Sequence, residues 1–547
     1  MIKRETAARR LVEVLVAEGV THVFCVPGES YLPVLDALTD VKHKIEVICC
    51  RHEAGAANMA AAYGKLTGRP GICMVTRGPG ATHASIGIHT AQQDSAPMIM
   101  FVGQVARAYK GLEAFQELDY VSVFGSMTKW TAEIDQSARI AEFTSRAFSI
   151  AAQGRMGPVI LALPEDMLSE PVGAAPIPQP RRVPIPLSAT ALTEVQTRLS
   201  LAQKPLMILG GSGWTRDAIA RLSKWCEASH MPVALSFRRK DLIDNLHPCY
   251  IGDLGFGPNP KLLARVRAAD LIIAIGPRLG EVTSQGYALF GPADTAEKLV
   301  HIHADPNELN RVWPAAIGIV ADVSSAAEAL SQIRLDGKAW RASTREAHAE
   351  YSAFTAPVSV TGRLNLSEVF DHLQGAIPPD TIVCNGAGNY AAWLHRFYRH
   401  RAPFTQLAPT SGAMGFGLPA AIAAKLIQPQ KEVIAVAGDG CFMMTAQELA
   451  TAVQYGAHIT VLVIDNGSLG TIRMHQEREY PGRPIATNLQ NPDFVSLAKS
   501  FGAWAKSVES TEEFPSALTE ARSHKGVSLL HLKTSLKDIA PNKELDL

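Results

Sequence analysis

The sequence predicts an α/β protein of three doubly wound domains, each with a parallel sheet between helices. Three observations support this fold class. Short, continuous apolar runs alternate with helical patterns, as expected of strands that are buried on both faces. The alternation occurs in three successive blocks. Segments rich in proline, or in charged and small residues, separate the blocks, so each block is predicted to be one domain.

The first block covers residues 1–170 and contains five apolar runs of strand length, namely HVFCVPG, EVICC, PGICMVT, APMIMFVG and GPVILALP. Six prolines then follow between Pro171 and Pro186. Because proline lacks the amide hydrogen that helices and sheets require, residues 171–186 are predicted to be an extended linker.

The second block covers residues 187–340, and its strand-like runs are KPLMILGGSG, MPVALSF, ADLIIAIG and KLVHIHADP. Charged and small residues interrupt the pattern afterwards, and they predict a second linker over residues 341–360. The third block covers residues 361–547, with the runs DTIVCNGAG, KEVIAVAGDG, HITVLVIDNG and VSLLHLKT.

Composition excludes several classes of protein. The 547 residues include 52 Lys and Arg and 52 Asp and Glu, so the formal net charge is zero. A nucleic-acid binder or a polybasic membrane binder would have an excess of positive charge. A hydrophobic content of 47% argues against disorder. There is no membrane-length apolar run and no signal-peptide pattern. The eight cysteines are scattered without a C-x-x-C motif, which favours a reduced, cytoplasmic protein.

The most specific motif lies in the third block. Gly438, Asp439 and Gly440 follow one apolar run, and Asn466 follows the next. Neighbouring parallel strands end at one edge of a sheet, so Asp439 and Asn466 are predicted to converge there with the backbone carbonyl of Ser468. Mg²⁺ prefers such oxygen ligands, and the glycines and helix N-terminus favour a diphosphate. Either motif alone is also typical of a plain turn, but the strand–helix–strand spacing favours a metal site.

This arrangement resembles the signature of thiamine diphosphate-dependent enzymes. The strings GDGCFMMTAQELATAVQYG, NGSLGTIR and MGFGLPAAIAAK are similar to those of the acetolactate synthase family. So are PGES, RHEAGAANMAAAYGKLTGRPG, GPGAT, FQE and GPVILALP in the first block. The resemblance covers nearly the whole chain. It implies pyrimidine-binding, central and diphosphate-binding domains, with thiamine diphosphate and Mg²⁺ as cofactors.

The resemblance also implies three catalytic residues. Glu53 matches the glutamate that activates the cofactor at its pyrimidine ring, although an acid at a helix start is the plainer alternative. Gln116 matches an active-site glutamine, with a surface helix residue as its alternative. His83 stands where the synthases usually have asparagine. It either relays protons or binds a substrate carbonyl, or it is structural.

The implied metal ligands are Asp439, Asn466 and Ser468. Met414 matches the aliphatic side chain that supports the bent cofactor, although methionine is also common in cores. Asn389 and Tyr390 replace a more usual Gln-His pair, and Asp465 replaces an asparagine. The implied cofactor contacts are Gly28, Glu53, Gly388, Asn389, Tyr390, Gly412, Met414, Gly438, Asp439, Gly440, Cys441, Asn466, Ser468, Leu469 and Gly470.

Three departures surround the expected substrate pocket. His475 replaces a tryptophan, Arg77 replaces a small residue and Glu165 replaces a lysine. Because unpaired buried polar groups reject mismatched substrates, these changes predict an altered 2-oxoacid preference. The predicted function is a carboligase or decarboxylase that acts through ylid attack on a 2-oxoacid, with a substrate other than pyruvate. A simple 2-oxoacid decarboxylase, a 2-hydroxyacyl-CoA lyase and a catalytically silent cofactor-binding subunit remain alternatives.

The middle block resembles the flavin-lining segments of the biosynthetic synthases at IGPRLGE and HIHADPNE. However, LGFGPNP replaces the loop that those flavin sites use, and GGSGWT lacks the third glycine of a dinucleotide fingerprint. The expectation is therefore against FAD. The resemblance further implies a homodimer or homotetramer with active sites at the subunit interface, a small 2-oxoacid substrate, and neither nucleic-acid nor membrane partners.

Overall fold

The computed structural model describes residues 5–173, 177 and 183–546. Within these residues the strands form three six-stranded sheets, and every strand pair is parallel. Helices flank each sheet. The predicted fold class of three doubly wound α/β domains is confirmed.

The N-terminal sheet has the strand order β2-β1-β3-β4-β6-β5. Its strands are β1 (His22–Cys25), β2 (Glu46–Cys49), β3 (Gly71–Thr76), β4 (Met98–Gln104), β5 (Trp130–Glu133) and β6 (Pro158–Pro164). Its helices are α1 (Ala7–Ala17), α2 (Leu32–Thr39), α3 (Glu53–Thr67), α4 (Arg77–Asp94), α5 (Tyr120–Phe124), α6 (Ile140–Ala152) and α7 (Glu165–Leu168). Strands β3, β4 and β6 are almost entirely buried, which explains their unbroken apolar runs.

The middle sheet has the order β12-β11-β10-β7-β8-β9. Its strands are β7 (Pro205–Leu209), β8 (Val233–Ser236), β9 (Tyr250–Leu254), β10 (Leu271–Ile275), β11 (Leu299–His303) and β12 (Ile317–Val320). Its helices are α8 (Ala189–Leu201), α9 (Arg216–Ser229), α10 (Pro260–Ala268), α11 (Pro292–Lys298), α12 (Val323–Leu330) and α13 (Arg341–Phe354).

The C-terminal sheet has the order β14-β13-β15-β16-β18-β17. Its strands are β13 (Ile382–Asn385), β14 (Gln406–Leu407), β15 (Val433–Gly438), β16 (Thr460–Asp465), β17 (Trp504–Val508) and β18 (Ser528–Lys533). Its helices are α14 (Leu366–Ala376), α15 (Tyr390–Phe397), α16 (Gly417–Ile427), α17 (Asp439–Met443), α18 (Glu448–Gln454), α19 (Gly470–Glu479), α20 (Phe494–Ser500) and α21 (Phe514–Ser523).

The second predicted linker differs from the structure. Residues 341–354 of the expected linker 341–360 form helix α13, whose buried Tyr351 packs edge-on against Tyr250 of β9 at 4.7 Å between ring centroids. The charged residues there occupy the outer face of a helix, so the middle domain extends at least to Phe354. Of the first predicted linker, residues 174–176 and 178–182 lie outside the described residues. The remaining domain boundaries stay our proposal.

The first and third domains share one apolar core. Helix α3 packs against α16, and the many alanines and glycines of both helices allow this close approach. At the end of α3, the buried Lys65 ammonium pairs with Asp94 at 2.9 Å and donates to the carbonyl of Ala408. Asp94 in turn accepts from the backbone N–H of Thr410 at 2.6 Å. These contacts fix the relative position of the two domains.

Candidate active site

Functional side chains line the carboxyl edge of the N-terminal sheet. Gly28 lies shortly after β1, Glu53 after β2, Arg77 directly after β3 and Glu165 directly after β6. In a parallel sheet all these strand ends meet at the same edge, where open α/β folds bind their ligands. Glu53, Arg77 and Glu165 therefore lie along the same edge of this sheet.

Helix α4 brings two of the predicted catalytic residues together. His83 on α4 lies with its Nδ1 2.9 Å from Oε2 of Glu53, which is the first residue of α3. The ring of His52 packs against that of His83 at 4.6 Å between centroids, with a tilt of 31° between the ring planes. The Glu53 side chain is only 13% exposed, whereas that of His83 is 53% exposed. His83 therefore restrains the orientation of the Glu53 carboxylate.

Gln116 lies beside the start of the same helix. Its carbonyl accepts from the N–H of Gly78 at 2.9 Å, and its backbone has a left-handed φ of 66°. Its side-chain Oε1 is buried, and no described residue forms a hydrogen bond with it. A buried acceptor without a partner is costly, so this oxygen is suited to a ligand donor.

Arg77 and Glu165, the predicted departures in the substrate pocket, form an ion pair at 2.6 Å. The Arg77 guanidinium also donates to the carbonyl of Phe115 and lies 3.7 Å from Glu29. Arg77 is 8% exposed, its φ is 36°, and its buried Nε has no described hydrogen-bond partner. Such a strained, buried cation persists only where its neighbours hold it firmly. His475, the third predicted departure, lies on α19 of the C-terminal domain, whereas Arg77 and Glu165 belong to the N-terminal domain.

The predicted metal ligands lie at the carboxyl edge of the C-terminal sheet. Strands β15 and β16 are neighbours, with Gly438 opposite Ile464, so Asp439 and Asp465 end adjacent strands. The Nδ2 of Asn491 bridges them, at 2.8 Å from Asp439 and 2.9 Å from Asp465. Asn491 was not predicted, because it lies in a distant loop with no local motif.

Asp439 and Asp465 differ in their electrostatics. Burial raises the pKa of Asp439 to about 6. Burial opposes ionisation of Asp465 too, but hydrogen bonds from His531 and the N–H of Gly467 hold its pKa below the ordinary value. Asp439 is thus the carboxylate that lacks a compensating cation, which fits a metal ligand.

The turns around Asp439 fit a diphosphate and its metal. Asn466 Oδ1 accepts from the N–H of Ser468, whose hydroxyl donates to Thr487 and whose carbonyl accepts from Gly470. One lone pair of that carbonyl remains for a cation. A Cβ on Gly470 would lie 2.5 Å from Oδ1 of Asn389, so only glycine allows these turns to meet.

The side chains of Tyr390 and Cys441 are buried in the C-terminal domain next to this edge of the sheet. The Tyr390 hydroxyl accepts from the N–H of Gly386 and contacts the Cys441 sulfur at 3.5 Å. That sulfur also accepts from the N–H of Gly415 at 3.2 Å. Both side chains are buried and engaged, so the polar atoms predicted to touch the cofactor already have partners inside the domain.

Met414 and Leu469 converge on Gly440. A Cβ on Gly440 would lie 2.8 Å from Cδ2 of Leu469 and 3.7 Å from Cε of Met414. Gly388 and Gly412 have φ values of 145° and 69°, which side-chain-bearing residues rarely adopt. The site therefore combines an apolar surface, formed by Met414 and Leu469, with the oxygen-rich turns that contain Asp439, Asn466 and Ser468. No hydrogen bond among the described residues joins this group to the Glu53 group.

Comparisons with known proteins agree with this geometry. Models of the thiamine pyrophosphate enzyme N-terminal TPP-binding, central and C-terminal TPP-binding domains match residues 5–123, 192–330 and 386–532. The acetolactate synthase isozyme 2 large subunit of Escherichia coli is 30% identical over 529 residues, 96% of this chain and 95% of that protein. The chain belongs to the thiamine pyrophosphate enzyme family.

Two further relatives have similar names. The acetolactate synthase of Mycobacterium bovis is 32% identical over 542 residues, which cover 95% of this chain and 86% of that protein. The probable acetolactate synthase large subunit of Methanocaldococcus jannaschii is 32% identical over 539 residues, 94% and 89% of the two chains. This chain is thus a thiamine diphosphate-dependent enzyme of the general carboligase or decarboxylase type.

A cavity of about 390 Å³ is lined mostly by the middle domain, together with Lys65, Asp94 and Arg155 of the first domain and Thr410 of the third. It opens where the strand order reverses between β7 and β10, next to the left-handed Gly211 and Gly276. Its lining includes four arginines, Arg155, Arg239, Arg278 and Arg311. In the described ranges, no helix is long and apolar enough to span a bilayer.

Proposed function

We propose that this enzyme decarboxylates a 2-oxoacid other than pyruvate and couples the product to a carbonyl acceptor. The observation that carries the substrate part is the Arg77–Glu165 ion pair beside the unpartnered oxygen of Gln116. Simple decarboxylation and 2-hydroxyacyl-CoA cleavage are the competing activities, and their products distinguish them.

The proposed cofactors are thiamine diphosphate and Mg²⁺. Asp439, Asn466 and the Ser468 carbonyl would hold the metal, and the turns at Gly388 and Gly470 would receive the diphosphate. The uncompensated burial of Asp439 supports this assignment. When bound, thiamine diphosphate supplies a nucleophilic carbon and an electron sink for decarboxylation.

The residues of this chain have distinct tasks in the proposed reaction. Glu53 holds a proton at the pyrimidine ring through one carboxylate oxygen, while His83 fixes the other. Met414 and Leu469 support the cofactor and exclude water from its reactive face. The side-chain oxygen of Gln116 accepts a hydrogen bond from the substrate.

The charges around Arg77 determine which substrate fits. Two carboxylates, Glu29 and Glu165, flank one guanidinium, so the cluster has a net negative charge. The methyl group of pyruvate offers no hydrogen-bond donor to these carboxylates. A 2-oxoacid or acceptor with a hydrogen-bond donor at its far end would be favoured, because Glu165 is one-third exposed and can accept.

A substrate panel tests this proposal. The enzyme is incubated with thiamine diphosphate, Mg²⁺ and pyruvate, longer 2-oxoacids or acyl-CoA compounds, and the products are identified by mass spectrometry. We expect the highest kcat/KM with a substituted 2-oxoacid and a coupled hydroxyketone as product. Glu165→Gln should raise KM for that substrate. Rapid acetolactate formation from pyruvate at synthase-like efficiency would exclude the non-pyruvate part.

We further propose a homodimer or homotetramer in which Glu53 of one chain and Asp439 of its partner form each site. A cluster of large apolar side chains on the segment 109–123 is exposed and supports this, including Tyr109, Leu112, Phe115, Val121 and Val123. Glu53→Gln and Asp439→Asn homodimers should each be inactive. Mixing them under exchange conditions should restore activity, because one heterodimer site then has both native residues. No recovery in verified heterodimers would contradict shared sites.

The expectation against FAD stays a prediction. The arginine-lined cavity could accommodate a phosphate-bearing group, so the visible absorbance of the purified enzyme is the direct test. A cytoplasmic location also stays a prediction. All eight cysteines are free thiols, and seven of them are buried.

A further inference from the structure

The backbone turn that precedes Glu53 is held by the C-terminal domain. Glu448, the first residue of α18, accepts hydrogen bonds from the N–H groups of Arg51 at 3.1 Å and His52 at 3.0 Å. The Thr451 hydroxyl donates to the same carboxylate at 2.6 Å. The Arg51 and His52 donors belong to the N-terminal domain, and the Thr451 donor belongs to the C-terminal domain. Arg51 and Glu448 are 397 residues apart in the chain.

Glu448 is unusual because it is fully buried without an ion-pair partner among the described residues, although the charge of Arg51 acts on it from a distance. Its exposed fraction is 0%, and none of the described lysine, arginine or histidine side chains forms an ion pair with it. Burial raises its pKa, while the hydrogen bonds oppose that change. A buried carboxylate is stable only when its oxygens are well bonded. Here the bonds come from backbone amides at the start of α3, where the helix dipole also favours a negative charge.

Tyr455, directly after α18, contacts the strand that leads into this turn. The Tyr455 hydroxyl accepts from the N–H of Cys49 at 2.8 Å and donates to the carbonyl of Val47. Both are residues of β2, the edge strand of the N-terminal sheet. A Cβ on Gly55 would lie 2.6 Å from the Glu448 carboxyl carbon, so a glycine at this position allows the approach. Residues 47–52 are thus fixed on one side by Glu448 and Tyr455.

We propose that Glu448 is a positioning residue for Glu53. This inference rests on the proposed activating role of Glu53. His52 is the N-cap of α3 and Glu53 its first residue, so a shift of the amides of Arg51 and His52 moves the Glu53 carboxylate directly. Displacements of about 1 Å can cost about a hundredfold in rate. The contacts of Glu448 therefore set where Glu53 meets the cofactor.

Two matched substitutions test the proposal. Glu448→Gln keeps the length of the side chain and loses its charge, whereas Glu448→Asp keeps the charge and loses the reach to both amides. The readout is deuterium exchange at the thiazolium carbon of the cofactor in the holoenzyme, measured by acid quench and NMR. We expect Glu448→Asp to slow exchange by about tenfold or more, with cofactor affinity retained, and Glu448→Gln to remain near the wild-type rate.

Tyr455→Phe is the control, because it loosens the same turn away from Glu53 and should leave exchange almost unchanged. Wild-type exchange in Glu448→Asp overturns the proposal. So does a parallel loss of exchange and cofactor affinity, which indicates a purely structural role. Glu53→Gln separates the two hypotheses, since normal exchange in that variant rejects the activating role of Glu53 itself. Slow exchange in Glu53→Gln with normal exchange in Glu448→Asp rejects only the positioning role.

Discussion

Replacing Glu53 with glutamine is expected to slow deuterium exchange at the thiazolium carbon by about a hundredfold to ten-thousandfold, the usual contribution of a positioned acid or base. Glutamine preserves the size of this largely buried side chain but cannot exchange a proton with the pyrimidine ring. Cofactor affinity should change little, because the Asp439 turn is untouched. Quenched-flow NMR and a cofactor titration measure the two quantities.

His83→Asn is the matched control for this prediction. It removes the imidazole next to Oε2 of Glu53 and restores the residue that the acetolactate synthases usually have there. We expect exchange to slow far less than in Glu53→Gln, since the carboxylate itself remains. An exchange rate in Glu53→Gln equal to that of the wild type would remove Glu53 from its proposed role.

Asp439→Asn is expected to weaken Mg²⁺-dependent cofactor binding by about a hundredfold or more. Asp439 is 3% exposed, and breaking a buried charge pair typically costs about 3–5 kcal/mol. The substitution conserves shape, and an asparagine can still hydrogen-bond with Asn491, so the fold should persist. Titrations of cofactor at fixed Mg²⁺, and of Mg²⁺ at fixed cofactor, measure the effect.

Asp465→Asn provides the comparison at the adjacent strand end. Asp465 shares Asn491 with Asp439, but its other oxygen already accepts from His531 at 2.9 Å. We expect its loss to reduce Mg²⁺ affinity much less. Equal losses in the two variants would show that the metal depends on both carboxylates.

The sequence patterns located the central strands and missed most of the edge strands. Runs such as GPVILALP are buried on both faces in β6, so their apolar character is continuous. In contrast β5, with the sequence WTAE, lies at the edge of its sheet and every residue is only half-buried. The edge strands β9, β12, β14 and β17 were not predicted either. Strands β12, β14 and β17 are short or half-exposed, and Gly252 and Asp253 interrupt the apolar run of β9, so none of them has a distinctive pattern.

In the candidate site too, the sequence indicated some residues and missed others. The Asp439 motif was predictable because it lies directly after an apolar strand, and Glu53 was predicted from the family resemblance of the string RHEAGAAN. Asn491 contacts Asp439, His531 contacts Asp465, and Glu448 contacts the turn before Glu53, all from distant positions in the chain that no local spacing indicates. The pairing of Arg77 with Glu165 was not predicted, although both were recognised as departures from the family pattern.

The sequence by itself determined the fold class, the family resemblance and the residues that we propose to meet thiamine diphosphate. These properties depend on local order, namely apolar runs, glycine turns and short strings that resemble those of the family. Only the tertiary structure decided which side chains hold the functional ones in place. His83 on Glu53, Asn491 between two aspartates and Glu448 under the α3 turn are contacts between segments remote in sequence. Such contacts depend on how the sheets and helices pack against each other. This packing cannot be read from local sequence patterns.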